Sequence, residues 1–241
     1  MNWKERTELL LGPDAIAALA RSRVLVVGVG GVGGYAAEML CRAGVGHLVV
    51  VDSDEVSETN INRQLLALHS TVGRPKCEVL KERLLDINPE IDILTVPEYV
   101  SEENIPTLLG SEPFDYVVDA IDTLSPKIAL IQYCLSMGWP LVSAMGAGAK
   151  TDATAVRIAD ISKTRQCPLA HQLRKRLHRL GIFEGFLAVY SEEKPRRESM
   201  VLEESRNKKS QVGTVSYLPA VFGCACAQAV ICAIAQVKGN Y

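Results

Sequence analysis

The sequence predicts an α/β fold: a doubly wound, mostly parallel sheet of the Rossmann-like kind, followed by a basic crossover segment and an apolar C-terminal helix. Three observations predict it. Strand and helix patterns alternate through the first two thirds of the chain, a glycine-rich turn joins the first strand to the first core helix, and polar residues of unusual type cluster just after strand ends, where sheets of this kind bind ligands. With 241 residues, 48 % of them hydrophobic and 22 % charged, the chain has the composition of one soluble globular domain. A single unit over 1–241 is expected, with its core at about 20–150, a basic helix and crossover at about 160–212 and the last helix at about 217–237.

The first strand is a β-branched run at 24–28. It leads into Gly28-x-Gly30-x-x-Gly33, and an alanine-rich amphipathic segment then predicts a helix over 33–43. Glycine serves in such a turn because a side chain would hold the backbone away from a pyrophosphate, whose charge the helix N-terminus stabilises. Further strands are predicted at 48–52, 91–96, 115–119 and 141–145, and helices at 75–86, 101–109 and 126–137. Beyond them, "SKTRQCPLAHQLRKRLHRLGIF" (162–183) holds six Lys/Arg and two His with no carboxylate, and no aromatic residue is interleaved among its basic positions. The mixed-charge stretch 192–211 reads as a mobile loop or a crossover over the site. The apolar stretch 217–237 approaches bilayer length, but Pro219, Gly223, Gln228 and its many small residues suit a buried core or dimer-interface helix, so no membrane span is expected.

A net charge of −2 steers no partner strongly, and an anionic one must meet a local patch. The seven cysteines (Cys41, Cys77, Cys134, Cys167, Cys224, Cys226, Cys232) are odd in number, lie mostly in apolar helical patterns and follow no signal peptide. That is reduced, cytoplasmic usage.

The glycines suit NAD, FAD, SAM or ATP equally, and the residues after them discriminate. Asp52, about 20 residues past the turn, is placed for a ribose. Asn60, Arg63 and Gln64 in "NINRQ", and Lys76 in "VGRPKCE", bring two cations and two amides to the phosphate end. A two-charge pyrophosphate needs less, whereas a triphosphate calls for Lys, Arg and metal. Asp119 and Asp122 end the fourth strand, and a carboxylate facing phosphates implies a hard cation such as Mg²⁺, with Asp122 as its organiser. No catalytic His or Lys–Tyr pair is placed for hydride transfer; His47, His69, His171 and His178 read as surface or capping residues.

The ordered pattern "GVGGVGG … VDSDEVSETNINRQ … VGRPKCE … DAIDT" resembles the adenylating enzymes related to ubiquitin-activating enzymes, which include the thiamine and molybdopterin sulfur-carrier adenylyltransferases. The resemblance implies an ATP site of Gly28, Gly30, Gly31, Gly33, Asp52, Asp54, Asn60, Arg63, Gln64, Lys76, Asp122 and Thr123, with Mg²⁺ on Asp122. It also implies a homodimer in which Arg6 reaches the partner's phosphates, so that Asp122, Arg63, Lys76 and Arg6 carry the chemistry. The paired Cys-x-x-Cys zinc signature common among the sulfur-carrier enzymes is absent, and no structural zinc is expected. In its place stands the basic segment, with Arg174, Lys175, Arg176 and Arg179 at helical spacing suited to polynucleotide phosphates. In this segment, in "RQCPLA" and "YSEE", and in length, the chain is similar to the tRNA threonylcarbamoyladenosine dehydratases. That similarity implies adenylation of a threonyl carboxylate on tRNA followed by intramolecular cyclisation; the alternative is adenylation of a sulfur-carrier protein's C-terminus. A sulfur-transfer or acceptor protein is a further candidate partner. Cys167 has two readings, a nucleophile or a packed thiol ahead of Pro168, and the second is favoured because a tethered attacking group needs no enzyme nucleophile.

Overall fold

In the computed structural model, residues 3–110, 112–202, 210–237 and 239 are described. The first strand, β1 (Arg23–Val27), shows why the fold must be layered. All its apolar residues are buried, with Val24 and Val26 in one core and Leu25 and Val27 in another. Alternate side chains leave a strand on opposite faces, so both faces of the sheet need cover.

Two helices precede that strand, α1 (Glu5–Leu11) and α2 (Pro13–Arg21). After it come α3 (Gly33–Ala43), β2 (His47–Val51), α4 (Lys76–Ile87), β3 (Asp92–Val96), α5 (Ile105–Leu109), β4 (Tyr116–Asp119), α6 (Leu124–Met137) and β5 (Leu141–Ala144). The chain continues through β6 (Val156–Asp160), α7 (Pro168–Arg179), β7 (Leu187–Ser191), the hairpin β8 (Met200–Leu202) and β9 (Ser210–Val212), and α8 (Tyr217–Ile234). The main sheet has the order β3-β2-β1-β4-β5-β7-β6. It is parallel except at β6, which runs antiparallel to β7. One core packs α3, α4 and α8 on the sheet, and the other packs α5, α6 and α7.

The five expected strands and the helices between them are present, with one contraction. Helix 101–109 shrinks to Ile105–Leu109, because Asn104 Oδ1 accepts the Ser101 N–H and closes a turn ahead of it. The sheet also extends beyond residue 145. The basic helix α7 does not follow the sheet; it crosses between two further strands, β6 and β7. The described residues on either side of 203–209 meet the loop after β5: the Arg196 N–H donates to Ala149 O and the Ala149 N–H to Gly213 O, both at 2.8 Å. Residues 203–209 of the stretch 192–211, expected as a mobile loop or a crossover, lie outside the described residues.

By length and mean hydropathy (1.9) α8 resembles a membrane span, but it packs as a core helix. It runs against α3 so closely that a Cβ on Gly223 would stand 2.4 Å from Val32 O.

Below the carboxyl edge of the sheet, Lys127 of α6 and Asp119 of β4 form an ion pair with no solvent exposure on either side, Nζ to Oδ2 2.7 Å. Ser143 Oγ on β5 donates to the same oxygen at 2.7 Å, and the Ile121 N–H reaches Oδ1 at 3.1 Å. Removing one member of such a pair strands a buried charge. Lys127→Met is therefore expected to cost about 3–5 kcal/mol in urea unfolding. Adding Asp119→Asn should restore most of that loss, and strictly additive losses in the double variant would sink the assignment.

Candidate active site

The turn after β1 is closed by contacts that admit only glycine. Gly28 has φ +85°, and a Cβ there would lie 2.9 Å from Ala120 O; a Cβ on Gly33 would overlap Gly28 O at 1.7 Å. The helix N-terminus thus sits directly against the end of β4. Gly30 faces the Gln64 amide, and Gly31 faces Arg63 and Pro219 at the start of α8. Asp52, just past β2, ties itself to this turn: Oδ2 accepts the Val29 N–H at 2.7 Å and Oδ1 the Asp54 N–H at 2.9 Å. Burial pushes the Asp52 carboxyl above its ordinary range, against the pull of Lys76 and the two N–H donors. An ionised carboxylate has about four acceptor positions, which leaves two for the hydroxyls of a ribose.

The phosphate end is built by the turn after Asp54. Asn60 Oδ1 accepts the Ser57 N–H at 3.2 Å, and Arg63 Nη1 is held by Thr59 O (2.9 Å) and Asn62 Oδ1 (2.8 Å). Lys76, buried at the N-terminus of α4, places Nζ 2.7 Å from Asp54 Oδ2. Gln64 is buried beside Gly30, and its Oε1 has no hydrogen-bond partner among the described residues. The side Gln64 turns to Gly30 is its Nε2, a donor suited to a phosphate oxygen lying on the glycine turn. Asp122 is exposed in the turn after β4, and Thr123 caps α6 beside it.

Of the residues expected in the site, Gly28, Gly30, Gly31, Gly33, Asp52, Asp54, Asn60, Arg63, Gln64, Lys76, Asp122 and Thr123 all gather at this one edge. Arg6 does not. It is exposed on α1, and the nearby Lys4 packs on Gly44 at the far end of α3. An eleven-residue helix is roughly 16 Å long, so Arg6 stands well away from its own chain's turn. Asp119 is also separated from Asp122, being sealed beneath the site by Lys127.

On α7, Lys175, Arg176 and Arg179 are exposed, and Arg174 donates to Thr164 Oγ1. The helix ends at Gly181 (φ +77°), where the Ile182 N–H returns to Leu177 O at 3.0 Å. That closure turns Phe183 outward onto His178, ring centroids 5.0 Å apart, with Phe183 59 % exposed. The basic surface therefore carries an aromatic face that its linear order conceals.

Two groups were missed in the sequence. Lys150, after β5, is 3 % exposed, and Glu193 of the crossover accepts the Thr151 and Asp152 N–H groups next to it at 2.8 and 2.7 Å. The one signal available was a lysine ending the small-residue run "GAGAK" after a strand. Cys167 is 4 % exposed at the head of α7 and packs in the second core, as expected of a packed thiol.

Comparison with known proteins fits this geometry. The chain is 42 % identical over 226 residues to a tRNA threonylcarbamoyladenosine dehydratase of Bacillus subtilis, covering 90 % of this chain and 89 % of that protein. It is 44 % identical over 178 residues to the Escherichia coli protein of the same name, 73 % of this chain and 66 % of that one. The crystal structure of E. coli tRNA N6-threonylcarbamoyladenosine dehydratase in complex with ATP superposes with a TM-score of 0.88 at 36 % identity, covering 98 % of this chain and 96 % of that one. The sequence model of the ThiF family matches residues 5–241, and the chain belongs to that family.

Proposed function

We propose that this protein is an ATP-dependent tRNA threonylcarbamoyladenosine dehydratase. The observation that carries the reading is its likeness, over nearly the whole chain, to a dehydratase solved with ATP; the Gln64 Nε2 donor facing Gly30 supports a nucleotide phosphate there. In the reaction the threonyl carboxylate attacks the α-phosphorus of ATP and pyrophosphate leaves. The neighbouring carbamoyl group then attacks the activated acyl carbon, AMP departs and a ring closes, with net loss of one water. Tethering gives the second step a large effective molarity, so no enzyme nucleophile is required.

On this reading Asp52 holds the ribose, the Gly28–Gly33 turn holds the α-phosphate, and Asn60, Arg63, Gln64 and Lys76 hold the β- and γ-phosphates. Lys76 is held in place by Asp54, which orients its ammonium before ATP arrives. Mg²⁺ carried by Asp122 would neutralise phosphate charge as pyrophosphate forms. Arg6 acts on a partner protomer in a homodimer, supported by its distance from its own site and by the exposure of Leu9 and Leu10 on the same helix (81 % and 82 %). Arg174, Lys175, Arg176 and Arg179 meet tRNA phosphates, and the Phe183–His178 pair offers an aromatic face to an unpaired base. Seven unpaired cysteines support a cytoplasmic site of action.

Four experiments test this reading. Nucleoside mass analysis of threonylcarbamoyladenosine-bearing tRNA, incubated with the protein, ATP and Mg²⁺, should show ATP-dependent loss of one water. No change there, with ATP–pyrophosphate exchange appearing only on addition of a sulfur-carrier protein, would move the substrate to the alternative. Asp122→Ala should lower turnover by about 10²–10³-fold in a protein that still folds, and a near wild-type rate would remove Asp122 from the site. Mixed dimers of Arg6→Ala and Asp122→Ala protomers should regain one working site, whereas no recovery would return Arg6 to its own subunit. Charge reversal at Lys175, Arg176 and Arg179 should weaken tRNA binding and flatten its salt dependence; an unchanged slope would put the RNA elsewhere.

A further inference from the structure

Three lysines are buried among the described residues: Lys76, Lys127 and Lys150. The first two each have a carboxylate oxygen at 2.7 Å, from Asp54 and Asp119. Lys150 forms no ion pair among the described residues, and its one hydrogen bond is to Gly146 O at 3.0 Å. Glu193, the carboxylate that acts on it, is engaged by the Thr151 and Asp152 N–H groups. Desolvation consequently pulls the Lys150 ammonium below its ordinary pKa, with Cys167 and Glu193 opposing it only in part. A buried cation with no ion pair is costly, and two of its three N–H donors have no acceptor among the described residues.

The backbone just before it is strained as well. Ala149 and Gln166, both at φ +59°, are two of the three non-glycine residues with positive φ among those described, and they directly precede Lys150 and Cys167. Each such residue costs on the order of 1–3 kcal/mol and persists only where its surroundings over-determine it, most often at a site of function. Here the surroundings are the crossover, which binds both the N–H and the carbonyl of Ala149. The place also fits. Lys150 follows β5, which neighbours β4, the strand carrying the Asp122 turn. β5 is two strands from the glycine turn, and two inter-strand spacings make roughly 10 Å.

We infer that Lys150 is the cation that receives the substrate's acyl group: its ammonium takes the threonyl carboxylate before adenylation and the oxyanion that forms on the acyl carbon during ring closure. The inference rests on the tRNA reading above. In the closing step a carbamoyl heteroatom bonds to the acyl carbon, and the carbonyl electrons move to the oxygen facing Lys150. As they return, the acyl C–O bond to phosphate breaks, AMP leaves with that electron pair and a carbamoyl N–H proton passes to solvent. Lys150 holds charge throughout and transfers no proton.

The test sets stability against turnover. Lys150→Met removes an uncompensated charge and keeps the side chain's length, so its melting temperature should equal or exceed that of the wild type. Its kcat/KM for threonylcarbamoyladenosine-bearing tRNA should fall about 100-fold or more, with ATP affinity within about twofold. Lys150→Arg, which keeps the charge, should recover at least about tenfold of the lost rate. Wild-type turnover in Lys150→Met, a melting temperature lower by about 4 °C or more, or no recovery with arginine would each overturn the inference. If wild-type protein itself leaves the tRNA nucleoside unchanged, the substrate reading fails and the inference falls with it. If wild type cyclises the nucleoside and Lys150→Met does so equally, the inference alone fails.

Discussion

The position of the whole nucleotide edge depends on the buried ion pair between Asp119 and Lys127. The pair joins the tip of β4 to α6, and Ser143 adds β5 to the same carboxylate. What it fixes is the turn beginning at Ala120, and Gly28 leans directly on Ala120 O. The glycine turn, the N-terminus of α3 and the Asp122 turn are therefore all referred to one point. A hydrophobic cluster would hold β4 against α6 as firmly, but it would not specify direction. A carboxylate with three donors in fixed places sets the strand tip's orientation as well as its depth, which is the service a polar core group gives at a desolvation cost.

Asp52 does the equivalent work from β2, holding Val29 inside the turn with one oxygen and Asp54 with the other. Asp54 in turn holds Lys76. A single chain of contacts thus runs from the turn through two carboxylates to Lys76, so the ends of the site proposed for ribose and phosphate cannot drift apart. Catalysis by electrostatic stabilisation requires this, because donors that must reorganise during the reaction lose much of their effect.

Much of this was legible in the sequence because the relevant signals are local. The Gly28–Gly33 turn, Asp52, the Asn60–Gln64 element and Lys76 lie at strand tips in chain order, and their chemistry narrows the nucleotide before any fold is known. Other features are properties of packing. Asp119 and Asp122 are three residues apart and look alike; only the third dimension shows one sealed under Lys127 and the other exposed. Strands β6 and β7 flank a strongly basic helix whose pattern drew attention from them. Phe183 sits four residues past Arg179, and the returning turn at Gly181 is what brings its ring to His178. Lys150 gave no sign of its state, since burial without an ion pair is a relation among distant elements.

The crossover segment links the two halves of the site. Asn62, next to Arg63, donates its side-chain N–H to Thr214 O at 3.0 Å, and one residue earlier Gly213 O accepts the Ala149 N–H. Tyr217 OH, at the head of α8, reaches Thr151 O at 2.6 Å. The same short strap therefore touches the loop that carries Arg63 and the loop that carries Lys150, and it continues into the helix packed on α3. A reaction that activates a carboxylate on one side and closes a ring on the other gains most when both partners are held in one frame, because the reactive acyl group then meets its attacking neighbour before water does. The strained backbone at Ala149 is consistent with that demand: a loop free to relax would lose the strain, and with it the fixed placement of the cation it carries.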